Sequence, residues 1–294
     1  MSVPAKKTSV FIDENVVIHE GVEAEEMLKS KAHFQDVDKR YGIVTVDKSR
    51  WEEAQRYEKH TWMALNQATS TDRNEDHREN FNNYKDLEGR LFERGIELGC
   101  GPFTNMRLII QHCTVERLYL LDPLIESYLQ HPFCQYKNHR LGGVFGTITK
   151  NGILGIFHNP RKAYRTGGWF GKSVQVVNSM IEEYPIRENF DLIVMINVIE
   201  HCQNVFTIIQ KISDLLLSGG TFVFHDRLYN AVELEEFTKN LYDSGHPLRV
   251  DQSVIREFLQ NNFETVMSKE QDVLREFKGV TWKETELYFI GKKK

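Results

Sequence analysis

The sequence predicts an α/β fold built on an open, mostly parallel sheet, and three observations carry that prediction. From residue 95 onward, short apolar runs of strand length alternate with segments of helical periodicity, the pattern of β-α-β units. One run, FDLIVMINVIEH at 190–201, is almost continuously apolar, as a central parallel strand covered on both faces must be. Another breaks into GIELGCGPFTN at 95–105, where two glycines stand one residue apart, a turn that lets backbone approach a ligand closely.

The elements follow in order. The first 50 residues hold one alternating, strand-like run at 10–18 and a short helical candidate at 23–33. In WEEAQRYEKHTWMALNQ (51–67), Trp51, Ala54, Glu58, Trp62 and Leu65 recur at steps of three or four, which is one face of a helix. TSTDRNEDHREN (69–80) is polar and charged, a linker or a solvated helix start. GIEL is the first strand of the alternating region, and TNMRLIIQH starts a helix after the glycine turn. RLYLLDP (117–123), SVQVVNS (173–179), FDLIVMINVIEH and TFVFHD (221–226) are the second to fifth strands. Val205, Ile208, Ile209, Ile212, Leu215 and Leu216 mark an amphipathic helix stopped by Ser218-Gly219-Gly220, a usual C-terminal signal. A helix at 251–262 precedes FETVMSKE (263–270) and TELYFIG (285–291). The stretch between those two runs lacks helical periodicity, so they are expected to pair as an antiparallel hairpin at the sheet edge.

Bulk properties exclude several classes. With 294 residues, 40% hydrophobic and 11% aromatic, the chain is globular and not disordered. A net charge of -5 offers no basic field for nucleic acid. Cys100, Cys113, Cys134 and Cys202 form no CxxC pair, so neither a zinc knuckle nor a disulfide framework is expected. No signal-peptide core and no run of about 18 apolar residues occurs, and a soluble cytoplasmic protein is the expectation. No metal-ligand set stands out.

The glycine turn can be weighed against three ligands. A P-loop needs Lys and Ser or Thr after its second glycine, and GCGPFTN has neither at the right offset. A dinucleotide turn needs a third glycine, but Gly99 and Gly101 are followed by Thr104, and Pro102 removes one N–H from the helix start. Asp122 ends the second strand, 21 residues after Gly101, where an acid can accept hydrogen bonds from both ribose hydroxyls. Glu97, just ahead of the turn, could meet an ammonium group. An adenosine ligand without phosphates and with an amino-acid tail is S-adenosylmethionine.

ELGCGP, LLDP, FDLIVMINVIEH and the SGGTFVF step, in that order, resemble the class I S-adenosylmethionine-dependent methyltransferases, in the branch with an acidic-His pair after the fourth strand and small-molecule or glycan substrates. The resemblance covers roughly residues 90–227. It implies a Rossmann-like open sheet of seven strands with an antiparallel C-terminal hairpin, an N-terminal helical cap (1–80), and a cofactor-binding domain (81–294) carrying an insertion at about 124–172. It further implies that Glu97, Gly99, Cys100 and Gly101 wrap the methionine moiety, that Asp122 and Pro123 meet the ribose, and that Ser179 and Met180 flank adenine. Asn197 would contact the methionine end through its carbonyl, and Gln55 and Trp62 of the capping helix would close over the ligand.

For chemistry, His201 after the fourth strand and His225 after the fifth are the candidate bases, with Asp226 able to orient His225. Neighbours in an extended strand point to opposite faces, so that pair need not touch. The insertion reads either as a substrate-binding or homodimer-forming element or as a surface elaboration. Its Arg161, Lys162 and Arg165 read either as an anion site or as a solvated face. The expected activity is methylation of a small molecule or glycan intermediate, on oxygen before nitrogen. The alternatives are an N-methyltransferase on an amine or amino sugar and a non-catalytic binding subunit of the same fold.

Overall fold

The computed structural model describes residues 9–12, 17–20, 37–65, 74–136, 173–238, 241–277 and 280–294. Near the N-terminus, the expected single strand divides into β1 (Ser9–Ile12) and β2 (Val17–Glu20), which pair antiparallel. A two-residue strand, β3 (Gly42–Ile43), follows. The helical candidate at 23–33, most of the insertion (137–172) and its basic cluster lie outside the described residues.

The main sheet contains β4 (Leu91–Leu98), β5 (Thr114–Leu121), β6 (Ser173–Val177), β7 (Phe190–Ile196) and β8 (Leu216–Tyr229), all mutually parallel where they pair. Two short strands, β9 (Leu241–Tyr242) and β10 (Arg249–Val250), pair with β1 and β3 instead. β11 (Phe263–Phe277) and β12 (Val280–Lys293) form the expected antiparallel hairpin, and β12 docks antiparallel on β8. The sheet order is β11-β12-β8-β7-β4-β5-β6. This is a Rossmann-like, seven-stranded, mostly parallel sheet. The hairpin strands extend over 271–277 and 280–284, within a stretch the sequence left unassigned, and cross-strand pairs such as Arg275 with Glu284 and Glu286 hold them together.

Helix α1 (Lys48–His60) starts at Asp47, whose carboxylate accepts the Arg50 N–H at 2.8 Å. It runs on as a π-helical turn, Thr61–Leu65. Its buried stripe is Arg50, Glu53 and Ala54, while Trp51, Gln55, Glu58 and Trp62 are only half-buried. The helical period is therefore as predicted, but the tryptophan face is not the one packed into the core. α2 (Asn74–Asn80), α3 (Met106–Ile109) and α4 (Ile125–Tyr128) are short. α5 (Val205–Leu215) ends directly into β8, and Ser218-Gly219-Gly220 sits at a register shift within that strand instead of capping the helix. α6 (Ala231–Thr238) and α7 (Gln252–Asn262) complete the described helices.

Two apolar clusters cover the sheet's two faces. Ile96, Leu98, Ile193, Met195, Phe222 and Phe224 point to one, and Leu118, Leu120, Leu192, Val194 and Val223 to the other, as the two-residue strand period requires. Phe222 is fully buried and its ring lies 5.3 to 6.4 Å from those of Phe224, Phe258 and Phe263. Phe222→Ala is expected to lower the urea-unfolding free energy by about 3–5 kcal/mol. Leu274→Ala, at a side chain 74% exposed, should change it by about 0.5 kcal/mol or less. Equal losses would contradict this packing.

Candidate functional site

β4 pairs with β5 on one side and β7 on the other, so the chain order of the sheet reverses at β4. The C-terminal ends of these strands bring the 99–101 turn, Asp122 and Asn197 together, at the place where open α/β sheets leave a crevice. Gly99 has φ +71°, and a Cβ there would lie 2.6 Å from a Val198 methyl. Only glycine fits on both counts. Gly101 has φ +52° and faces open space.

Asp122 is buried, and its two carboxylate oxygens accept the N–H groups of Gly101 (3.1 Å) and Leu124 (2.8 Å). Burial pushes its pKa up to about 6, against the pull of those two bonds. Glu97 lies beneath the turn. Its oxygens accept the Thr104 hydroxyl, the Asn105 N–H (2.8 Å) and side-chain amide (3.2 Å), and the Met106 N–H (3.2 Å). It thus holds the start of α3, and burial pushes its pKa up to about 7.

A cavity of about 340 Å³ opens above these strand ends. Gly99, Cys100, Gly101, Asp122, Pro123 and Asn197 line it, as do Met180 and Ile181 after β6. α1 and its π turn supply Trp51, Gln55, Glu58 and Trp62 as the opposite wall. Gln55 ties α1 down by donating to the His201 carbonyl at 3.1 Å, and the Trp62 indole N–H donates to Glu58 Oε2 at 3.0 Å. Asn197 adopts φ +59°. Its N–H donates to the His225 carbonyl at 2.8 Å, and its buried Oδ1 has no hydrogen-bond partner among the described residues.

Four of the residues singled out from the sequence do not line this cavity: Glu97, Ser179, His225 and Asp226. Glu97 is used up by the α3 start. The Ser179 hydroxyl donates to the Met180 carbonyl at 2.8 Å. His225 lies inside the sheet face, its ring 4.2 Å from that of Tyr288 and 4.7 Å from that of His77. Burial, with His77 beside it, holds its pKa well below the ordinary imidazole value, so it stays neutral. Asp226 points the other way along β8. Its Oδ2 accepts the Val198 and Ile199 N–H groups at 3.0 and 2.7 Å, and burial, with Glu200 nearby, pushes its pKa up to about 7. The strand alternation separates the two side chains, so Asp226 does not orient His225.

His201 does line the cavity. Its Nδ1 stands 3.1 Å from the Gly245 carbonyl, which can only accept, so Nδ1 carries the hydrogen and Nε2 is left as the basic nitrogen. Beside it lies His246, which the sequence reading missed because nothing local in DSGHP marks it. His246 Nδ1 is 2.8 Å from Asp243 Oδ2, and its Nε2 is 3.4 Å from Glu200 Oε1. Glu200 Oε2 accepts from Arg249 and from the Tyr229 hydroxyl, each at 3.0 Å. Burial alone would raise the Glu200 pKa, but His246, Arg227 and Arg249 hold it well below the carboxylate range. Burial also acts to lower the His246 pKa, but the charges of Asp243 and Glu200 outweigh it and the net shift is upward.

A family model described as a methyltransferase domain matches residues 38–267. Among curated proteins, none matches significantly. Of solved structures, BH2331 from Bacillus halodurans C-125 aligns at a TM-score of 0.50 and 12% identity, covering 74% of this chain and 98% of its own. The N-methyltransferase NodS from Bradyrhizobium japonicum WM9, in complex with S-adenosyl-L-homocysteine, aligns at 0.47 and 16% identity, covering 83% and 98%. The fold, the glycine turn with its strand-end acid, and a family match over most of the length lead to one conclusion: the chain belongs to the class I S-adenosylmethionine-dependent methyltransferases.

Proposed function

We propose that this methyltransferase acts on a hydroxyl of a small molecule or glycan intermediate, and that any acid–base work belongs to the cavity-facing group around His201 and not to His225. The observation that carries the reading is the position of His201. It lines a cavity of small-ligand size, about 340 Å³, with Nδ1 fixed by a backbone carbonyl and Nε2 unprotonated in the neutral ring. His225 is enclosed between two aromatic rings and kept neutral.

The residues present fit S-adenosylmethionine. Asp122 has each oxygen bonded to a single backbone N–H, and a carboxylate has room for two further hydroxyl donors. Asn197 brings to the wall a buried Oδ1 without a hydrogen-bond partner among the described residues, and Gly101 leaves open space where a side chain would stand. Asp122 would hold the ribose, Met180 and Ile181 would flank adenine, and Gly99, Gly101 and Asn197 would hold the methionine end. When bound, the cofactor supplies a methyl group on a sulfonium, already a strong electrophile. The chain's task is to align the acceptor, exclude water and take up the acceptor's proton.

The wall formed by Trp51, Gln55, Glu58 and Trp62 supports reading residues 1–80 as a cap over a catalytic domain at 81–294. Four buried cysteines, with no disulfide among the described residues, support a reducing, cytoplasmic setting. No helix among the described residues is long and apolar enough to cross a membrane.

Three outcomes test the reading. Calorimetry with S-adenosylhomocysteine should show Asp122→Asn binding about 10-fold or more weaker, since hydrogen bonds to a charged group contribute about 1.5–3 kcal/mol. Equal binding would refute the ribose assignment. Hydroxyl donors favour the ionised carboxylate, whose pKa without ligand is about 6. Wild-type affinity should therefore climb between about pH 5 and pH 7 and then level off, and the climb should vanish in Asp122→Asn. Finally, His201→Asn should lower kcat by roughly 100-fold or more on a hydroxyl-bearing acceptor, while His225→Asn leaves the pH profile of kcat in place. Turnover confined to amines would overturn the oxygen reading.

A further inference from the structure

Within the ion-pair network next to His201, three side chains also present atoms of metal-ligating type to one place. Glu58, His201 and His246 each present one ligand atom, all within 4.8 Å of one another. They come from α1, from the turn after β7 and from the segment before β10. Ligand atoms about 2.1 Å from a tetrahedral ion lie roughly 3.4 Å apart, so the group needs only a small contraction to close on one.

The surroundings of both imidazoles match what metal-ligating histidines use. His201 Nδ1 is anchored by the Gly245 carbonyl at 3.1 Å, and His246 Nδ1 by the Asp243 carboxylate at 2.8 Å. A carbonyl or carboxylate on one ring nitrogen fixes the tautomer and makes the other nitrogen the better ligand. Both Nε2 atoms turn toward the same place, standing 4.0 Å (His201) and 3.4 Å (His246) from Glu200 Oε1.

Glu200 supplies an independent observation. The residue is 2% exposed, yet Oε1 accepts no hydrogen bond among the described residues, while Oε2 accepts two. Arg227 Nη1 stands 3.5 Å from that oxygen, outside ordinary hydrogen-bond range. That oxygen is ion-paired with Arg227 and with His246, whose Nε2 is 3.4 Å away, but neither comes to short hydrogen-bond distance, which leaves room for a closer cationic partner. Glu58 adds to the negative field. Its carboxylate is bonded by the Trp62 indole and lies 3.7 Å from His201 Nδ1, so it must swing toward Nε2 to join the ligand set, and it pairs with no lysine or arginine among the described residues.

We propose that Glu58, His201 and His246 bind a divalent transition-metal cation in the cavity wall, with Glu200 Oε1 facing it. Two imidazoles and a carboxylate select zinc, manganese, iron or cobalt over magnesium or calcium. The ion would meet an acceptor oxygen and make its hydroxyl more acidic. With the ion bound, His201 would serve as a ligand, and the raised acidity of the metal-bound hydroxyl would replace its role as base. That use rests on the oxygen-acceptor reading above, while the binding of the metal does not.

The test uses the full-length protein as purified and again after EDTA treatment. Elemental analysis of the untreated protein should find a stoichiometric transition metal. Adding Co(II) alone to the treated protein should give a ligand-field absorption band. His246→Gln and Glu58→Gln should each weaken Co(II) binding by about 10–100-fold or more, while His77→Gln, another cavity-lining histidine, should leave the band unchanged. Thermal melts check that each variant is folded, and Glu58→Gln keeps an acceptor for the Trp62 indole. A treated wild type that gives no band, or variants that bind Co(II) as tightly as wild type, would overturn the proposal. Undiminished turnover after EDTA treatment, with a pH profile that depends on His201, would overturn the use of the ion in catalysis and leave the oxygen reading standing. Failure of S-adenosylhomocysteine to bind the same samples would instead strike the cofactor assignments.

Discussion

Three buried carboxylates hold the working edge of this protein in place. Glu97 at the end of β4, Asp122 after β5 and Asp226 near the end of β8 each accept backbone N–H groups from the loops that follow the parallel strands. Each is 7% exposed or less, and burial pushes each pKa upward, to about 7, 6 and 7. Charge in such places is costly unless donors converge on it. Of the three, Asp122 alone lines the cavity, so a ligand's hydroxyl groups can still improve its situation. The other two are already committed to backbone. Two acids build the edge, and the third faces the cavity.

That division explains why the cavity has a rigid floor and a separate wall. The floor is glycine backbone pressed against Val198, with no room for a side chain at Gly99. The wall is α1, fixed at its start by Asp47 and along its length by Gln55 bonding to the His201 carbonyl. Gln55 thereby ties α1 directly to His201, the proposed acid–base residue. Glu58, on the same helix face, reaches toward His201 and His246, which makes α1 part of the site and not merely its cover.

Much of this was legible in the sequence, and the limits have physical causes. The succession of strands along the chain, the hairpin and the turn follow from apolar runs and glycine spacing, because those patterns report local backbone and burial. Asp122 was legible because its distance from Gly101 is set by one β-α-β unit. Glu97 was visible as an acid, but which way it points depends on whether the start of α3 needs its oxygens, and no spacing rule reports that. His225 and Asp226 differ by one residue in a strand, so one had to leave the face of the other. The cavity selects between His201 and His225 by depth, a property of packing. Glu58, His201 and His246 come from three segments far apart in the chain, and only the folded sheet brings them within 4.8 Å.

The central claim is that the strand-end acid reads the ribose while the glycine turn and Asn197 hold the amino-acid end. A crystal structure with S-adenosylhomocysteine tests it most directly. The account predicts both ribose hydroxyls within hydrogen-bond distance of the Asp122 oxygens, the adenine beside Met180 and Ile181, and the sulfur facing the His201 side of the cavity. A ligand bound with its ribose away from Asp122, or with its sulfur turned toward the buried His225, would contradict it.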